Sequence, residues 1–402
     1  MNKKLIYSAI LTVALGGSFS SCSDDDLNPE SIFDTTEDAL DPNSYTYNFD
    51  KWLKENYSDI YNLEFRYKMQ HIGTDMDYNL VPARYDKAVD LALLTKYLWF
   101  DVYGDLVGPD FLKQYGPKII HLIGSTAINP ANGTEILGLA EGGLKVSLFK
   151  VNELDVTNPD LLNEHYFKTM HHEFSHILHQ TKTYPKEFDL INASHYEPNN
   201  WQDRNGALVN SLGFTTTYAS SQAREDFAET CANYITRTDE QWDLCLWMAD
   251  RGWATTDSED TSYCYYYYAS DADREAGHKT YVGEFVAQEG NNGLFGVSNT
   301  IARPSSDGAY SRSSIGSPAV YTNVADVEAF FATVIPQYGL VPVEDTDNMD
   351  GKANILQKVS IVRNWFSDAW GLDIDALRAE VQKRQTTIDI DALRAEVYGE
   401  NE

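Results

Sequence analysis

Apolar and polar residues alternate without a break from Leu63 to Gln70, the period-two pattern of a strand with one buried face. From Tyr85 to Val102 the period lengthens. Ala88, Leu91, Leu94 and Leu98 fall on one stripe and predict an amphipathic helix. The short apolar run from Lys118 to Ile123 predicts a central strand. Asn132-Gly133 is a turn signal. Beyond it, Glu135 to Leu139 and Leu144 to Val151 flank Glu141-Gly142-Gly143 as the arms of a hairpin. In the second arm Leu144, Val146 and Leu148 face one way, and Lys145 and Ser147 the other.

The pattern then turns helical. Thr157 or Asn158 serves as N-cap with Pro159 in the first helical position, and the helix should run to about Thr181. After a polar stretch from Lys182 to Gly213, Gln222 to Thr236 and Glu240 to Arg251 predict two more helices. Residues 252 to about 320 differ in kind. Gly, Ser, Asp and Tyr dominate, including Tyr265-Tyr266-Tyr267-Tyr268, and little regular helix is expected. Regularity returns at Val327 to Ile335. Ile355, Val359, Val362 and Phe366 mark an amphipathic helix ended by Gly371. The tail holds a direct repeat: Asp373 to Val381 recurs unchanged at Asp389 to Val397. With only two copies this is a local duplication of a terminal helix and not a solenoid.

Composition narrows the function classes. The 402 residues carry 31 Lys+Arg against 61 Asp+Glu, a net charge of −30. Nucleic-acid binding needs clustered cations and is excluded as the main role, and so is docking on anionic lipid through basic patches. At the N-terminus, Lys3 and Lys4 precede an apolar run from Leu5 to Leu15, too short to span a bilayer. Phe19-Ser20-Ser21-Cys22 resembles a bacterial lipobox, with Phe19 in place of the usual Leu. Processing would remove residues 1–21 and acylate Cys22. Ser23-Asp24-Asp25-Asp26 then resembles the surface-export signal of Bacteroidota lipoproteins, and residues 22–44 read as an acidic tether. With Cys22 lipidated, Cys231, Cys245 and Cys264 remain, so at most one internal disulfide can form.

Five of the nine histidines fall between 165 and 179. Among them His172-Glu173-Phe174-Ser175-His176 forms a His-Glu-x-x-His pattern on a segment already read as helix. Residues four apart lie about 40° apart around a helix and one turn along it, so both imidazoles can reach one zinc ion. Glu173 lies about 100° round from His172, where it can approach a water at the metal without becoming a ligand. His179 is roughly 10 Å along the axis from His172, too far for a third ligand on a straight helix. It reads as a supporting histidine behind the ligands, and His171 as structural. A third ligand must come from elsewhere, and Glu225-Asp226-Phe227-Ala228-Glu229 on the next helix is the candidate. Glu225 and Glu229 share a face; one can bind the metal while the other orients a ligand histidine. Tyr218, seven residues earlier, can donate a hydrogen bond to a tetrahedral oxyanion.

These residues carry a resemblance. The lipobox, His172 to His179, Tyr218 and Glu225 to Thr230 look like the zinc-binding metallopeptidase lipoproteins of Bacteroidota, which are typically encoded beside TonB-dependent nutrient importers. The spacing of Tyr218 and Glu225-Asp226-Phe227-Ala228-Glu229 is also similar to the catalytic domain of anthrax lethal factor, a gluzincin. The resemblance implies Glu225 as the third zinc ligand, Glu229 as the carboxylate orienting a ligand histidine, and Tyr218 as a catalytic helper. It covers about residues 45–250 and resumes near Gly351 to Leu377. Between 252 and 350 the chain departs from it, with roughly a hundred residues read as an insertion.

The expectation is an α+β fold. A zincin-like domain at 45–251 carries a small mixed sheet and two ligand-bearing helices; an irregular insertion spans 252–350, and helices at 351–402 complete the domain. One Zn2+ per chain is expected on His172, His176 and Glu225. The implied function is a surface zinc peptidase with Glu173 as general base, peptide or protein as substrate, and Leu144 to Val151 as an edge strand for an extended peptide. A TonB-dependent importer is an expected partner, and the outer membrane the expected location. Two alternatives stay open: a surface nutrient-binding lipoprotein with a vestigial zinc site, and a zinc hydrolase of a non-peptide amide.

Overall fold

The alternation at 63–67 becomes a buried–exposed rhythm in space. Leu63, Phe65 and Tyr67 are buried, and Glu64–Arg66 (β1) pairs in parallel with Ile119–Leu122 (β2). The computed structural model describes residues 40–69, 80–128, 135, 136, 138–141, 145–255, 262–268, 270–287, 295–305, 307, 309–316, 321–339, 341, 342 and 350–399. Cys22, its acidic tether up to residue 39, the Asn132-Gly133 turn and Gln70 lie outside these residues. Of the described residues, those up to Tyr47 fall in one unit and those from Asn48 on, which hold everything discussed below, in another.

The first sheet has the order β1-β2-β4-β3, where β3 is Gly138–Glu141 and β4 is Lys145–Leu148. β2 and β4 run parallel, and β3 returns antiparallel along β4 as the predicted hairpin. The expected edge strand is therefore misassigned. Lys145–Leu148 is flanked on both sides, and the edge is its partner β3. Val146, Ser147 and Leu148 are all buried, because an inner strand is covered on both faces and its alternation no longer reports solvent.

Helices cover this sheet. Tyr85–Thr95 (α1) continues through a π-turn at Lys96–Phe100 into Asp101–Val107 (α2), and the whole Ala88–Leu91–Leu94–Leu98 stripe is buried. Asn158 caps the next helical run with its side chain on the Leu161 amide, and Pro159 stands in the first turn. That run passes a second π-turn, Asn163–Phe167, into Lys168–Thr181 (α3). Ala223–Thr236 (α4) packs along α3, and β3 also touches α3. Asp239–Ala249 (α5) follows behind a capping box of Thr238 and Gln241.

The segment after α5 is more regular than its composition predicts. Ser262–Tyr267 (β5), Thr280–Ala287 (β6), Phe295–Pro304 (β7), Tyr310–Ser314 (β8) and Val341–Pro342 (β9) form an antiparallel sheet in the order β8-β7-β6-β5-β9. Val324–Tyr338 (α6) packs on it. Small, polar and aromatic residues gave no clean alternation, yet cross-strand pairing organises them. Gly283 sits at φ +80°, and a Cβ there would lie 2.6 Å from both Cys264 Sγ and Phe331 Cζ, so glycine lets α6 close onto β6. The core of this sheet also takes in Leu244, Trp247 and Met248 of α5.

Gly351–Trp370 (α7) ends at Gly371 in the left-handed conformation, and the repeat forms two Asp-capped helices, Ile374–Gln385 (α8) and Ile390–Tyr398 (α9). α7 and α8 pack on α4, and α9 on α1. Identical sequences thus meet different partners. Arg378 pairs with Asp239, whereas Arg394 forks onto Asp90. Cys231, Cys245 and Cys264 are buried free thiols. Among the described residues no helix is long and apolar enough to cross a membrane.

Candidate metal centre

The site lies where α3 and α4 face each other. His172 and His176 occupy one stripe of α3 as their spacing requires. Their Nε2 atoms are 3.0 Å apart, and Glu225 Oε2 in the first turn of α4 lies 3.2 Å from the one and 3.0 Å from the other. Three potential ligand atoms thus converge on one point. A tetrahedral ion with bonds of 2.0–2.1 Å needs ligand atoms about 3.3 Å apart, so a small outward relaxation would admit zinc. The opposite ring nitrogens are engaged. His172 Nδ1 lies 2.9 Å from Glu229 Oε1, and His176 Nδ1 lies 2.9 Å from His179 Nε2. Each Nδ1–H can donate outward, which leaves each Nε2 lone pair for a metal. The donor set fits zinc.

Glu173 joins this group, with a carboxylate oxygen within 4.8 Å of the histidine nitrogens. Burial pushes its carboxyl above the usual range, while His172 and His176 pull against that shift. Burial alone would lower His172, but hydrogen bonds to Glu225 and Glu229 raise it to about 9. In the absence of metal a proton there stands in for the cation. Burial likewise opposes charge on Glu225, and the two histidines hold its carboxyl well below the carboxylate range. His179 is pushed down to about 4, first by burial and then by His176. It is neutral at pH 7 and free to accept from His176.

Tyr218 opens the short turn Tyr218–Ser221 that precedes α4. Its ring stacks on His172 with centroids 5.8 Å apart and packs against Trp201 at 4.8 Å. Burial first, and after it the nearby Glu225 carboxylate, keep its phenol protonated far above the usual range. All seven residues singled out in the sequence for the site are therefore brought together. His171 points elsewhere. It is buried with Nδ1 3.0 Å from the Tyr103 hydroxyl, and burial lowers it to about 3.

Sequence reasoning missed the residues that hold Glu229. Its second oxygen receives the Thr216 hydroxyl at 2.6 Å, Asn233 Nδ2 at 3.2 Å and Lys168 Nζ at 3.3 Å. Burial works against the charge on Glu229, but Lys168 and His172 outweigh it and hold the carboxyl well below its normal range. It missed Gln222 too, whose Nε2 lies 3.2 Å from the outer oxygen of Glu225. Asn233 did leave a signal, since it stands one helical turn from Glu229, whereas Lys168, on the opposite helix, left none. Nor did Thr216.

The comparisons agree with this chemistry. No curated protein matches the chain. A crystal structure from Bacteroides caccae ATCC 43185 is 32% identical, with a TM-score of 0.55, and the match covers 90% of this chain and 98% of that one. That protein and the family matching residues 43–375 here share the description "putative zinc-binding metallo-peptidase". The family match runs through the segment 252–350 that the sequence reading set apart. The chain belongs to this zinc-binding metallo-peptidase family.

Proposed function

We propose that the protein is a zinc-dependent peptidase of the His-Glu-x-x-His type with a glutamate as third ligand. The observation that carries this reading is the convergence of His172 Nε2, His176 Nε2 and Glu225 Oε2 at 3.0–3.2 Å. Zinc held there supplies Lewis acidity, polarising a carbonyl and acidifying water. The protein's own groups do the rest. Glu173 takes the proton from the attacking water and delivers it to the leaving amine, a task suited to a carboxyl whose pKa burial has raised. The Tyr218 hydroxyl, kept protonated by burial, donates to the oxygen that gains negative charge. Glu229 and His179 hold the two ligand imidazoles in orientation. The outer edge of β3, beside α3 and unpaired among the described residues, offers main-chain groups to an extended peptide.

The test is a broad peptide library presented to the zinc-loaded protein, with and without a chelator. Chelator-sensitive cleavage supports the reading. Release of acyl groups from N-acylated sugars with no cleavage of any peptide would replace it with the non-peptide amide hydrolase, and zinc-independent cleavage would overturn it.

The proposal extends to location on sequence grounds. Cys22 is the acylated residue, the enzyme faces outward from the outer membrane, and it works beside a TonB-dependent importer. Cys22→Ala is expected to release the protein from membranes, and protease added to whole cells to digest the wild type. A wild type that fractionates as soluble would refute the anchor.

A further inference from the structure

We propose that Thr216 is a positioning residue that locks the Tyr218 turn to the carboxylate holding His172. The inference rests on the peptidase reading above. Thr216 stands two residues before Tyr218, in the loop that leads into α4. Its hydroxyl lies 2.6 Å from Glu229 Oε2 and 3.1 Å from the Ala219 amide nitrogen. A hydroxyl has one proton and two lone pairs. The proton goes to the carboxylate and a lone pair takes the amide, so both bonds coexist. That amide belongs to the peptide bond joining Tyr218 to Ala219, which places the anchor on the backbone of Tyr218 itself.

The path closes on itself. His172 Nδ1 bonds Glu229 Oε1, Glu229 Oε2 bonds Thr216, Thr216 holds the Tyr218–Ala219 peptide, and the Tyr218 ring stacks back on His172. A closed circuit of this kind restricts the rotation of each member more than an open chain would. Displacing the turn must disturb the His172 imidazole, and displacing Glu229 must disturb the phenol. The other donors to Glu229 do different work. Asn233 sits on α4 with Glu229, and Lys168 on α3 with His172. Both fix the carboxylate between the helices. Thr216 adds the turn to that arrangement, so that the metal ligand and the oxyanion donor keep one geometry.

Zinc affinity and peptide kinetics, read on Thr216→Val, Thr216→Ser, Tyr218→Phe and the Thr216→Val/Tyr218→Phe pair, test this. Thr216→Val is expected to weaken zinc binding about tenfold in competition with a chelator, the scale at which partners behind a ligand histidine act. It is also expected to lower kcat with little change in KM, and Thr216→Ser should recover both to within about threefold of wild type. Removing the Tyr218 hydroxyl should cost less in the Thr216→Val background than in wild type, because there the phenol is already misplaced. Wild-type zinc affinity in a folded Thr216→Val protein, or full additivity with Tyr218→Phe, overturns the proposal. If the Val variant does not fold, Thr216→Ala removes the same hydroxyl without added bulk. A Ser variant as weak for zinc as the hydroxyl-free ones also overturns it. If the wild type cleaves no peptide, the peptidase reading fails, while the zinc measurements still decide the link from Thr216 to His172.

Discussion

Lys358 Nζ lies 2.6 Å from Asp226 Oδ2, and both side chains are wholly buried. The pair joins α7 to the first turn of α4, one residue beyond Glu225. Tyr196 donates to the same carboxylate, and Lys358 also donates to the Gly213 carbonyl. Burial opposes both charges, raising the Asp226 pKa and lowering that of Lys358. Each therefore depends on the other. Lys358→Met is expected to cost about 3–5 kcal/mol in chemical unfolding, and adding Asp226→Asn should recover most of it. A single variant as stable as wild type would show that the pair does not anchor the ligand helix.

Zinc binding should depend on pH in a definite sense. His172 is raised from 6.5 to about 9, so the metal-free protein holds a proton there across the neutral range. Zinc must expel it. Apparent affinity should therefore rise with pH by up to about tenfold per unit between 6.5 and 9 and flatten above that. Competition against a chelator of known affinity at several pH values checks this. A flat profile below pH 8, once the chelator's own titration is removed, contradicts the assignment. Glu225→Ala at pH 8 should abolish stoichiometric zinc by elemental analysis.

Glu173→Gln preserves size while removing the base. Fold and zinc content are expected to survive, because Glu173 is not one of the three converging ligands, and turnover should fall by about 10²–10⁴-fold. Wild-type rates in the metal-loaded variant would remove Glu173 from the mechanism.

The segment from Ala254 to Pro342 shares its core with α5. Phe331 stacks on Trp247 at 6.1 Å and is fully buried, and Arg251 pairs with Glu328 at 2.8 Å. Phe331→Ala should destabilise the protein by about 3–5 kcal/mol. Replacing residues 255–345 with a flexible linker should expose Leu244, Trp247 and Met248 and lower solubility and melting temperature. A truncated protein as stable as the full chain would show the segment to be a detachable decoration.

Whatever depends on neighbours along the chain was readable in advance. Helical spacing alone put His172 and His176 on one stripe and kept His179 behind it, because a helix turns by a constant angle per residue. Asn158 and Pro159 announced their helix start, and Gly371 its end. Glu225 and Glu229 could be recognised as a pair, though only resemblance said which would face the metal. The limits appear where pattern meets burial from two sides. Lys145–Leu148 looked like an edge because it alternates, yet the sheet and its helices enclose it. Tertiary structure alone decided that β3 is the edge, that Lys358 reaches Asp226 across 132 positions, and that Thr216 meets Glu229. These contacts join residues whose separation in sequence carries no geometric information. A hydrogen bond or ion pair is specific to about a few tenths of an ångström, and that precision exists only once the core has set the helices against one another.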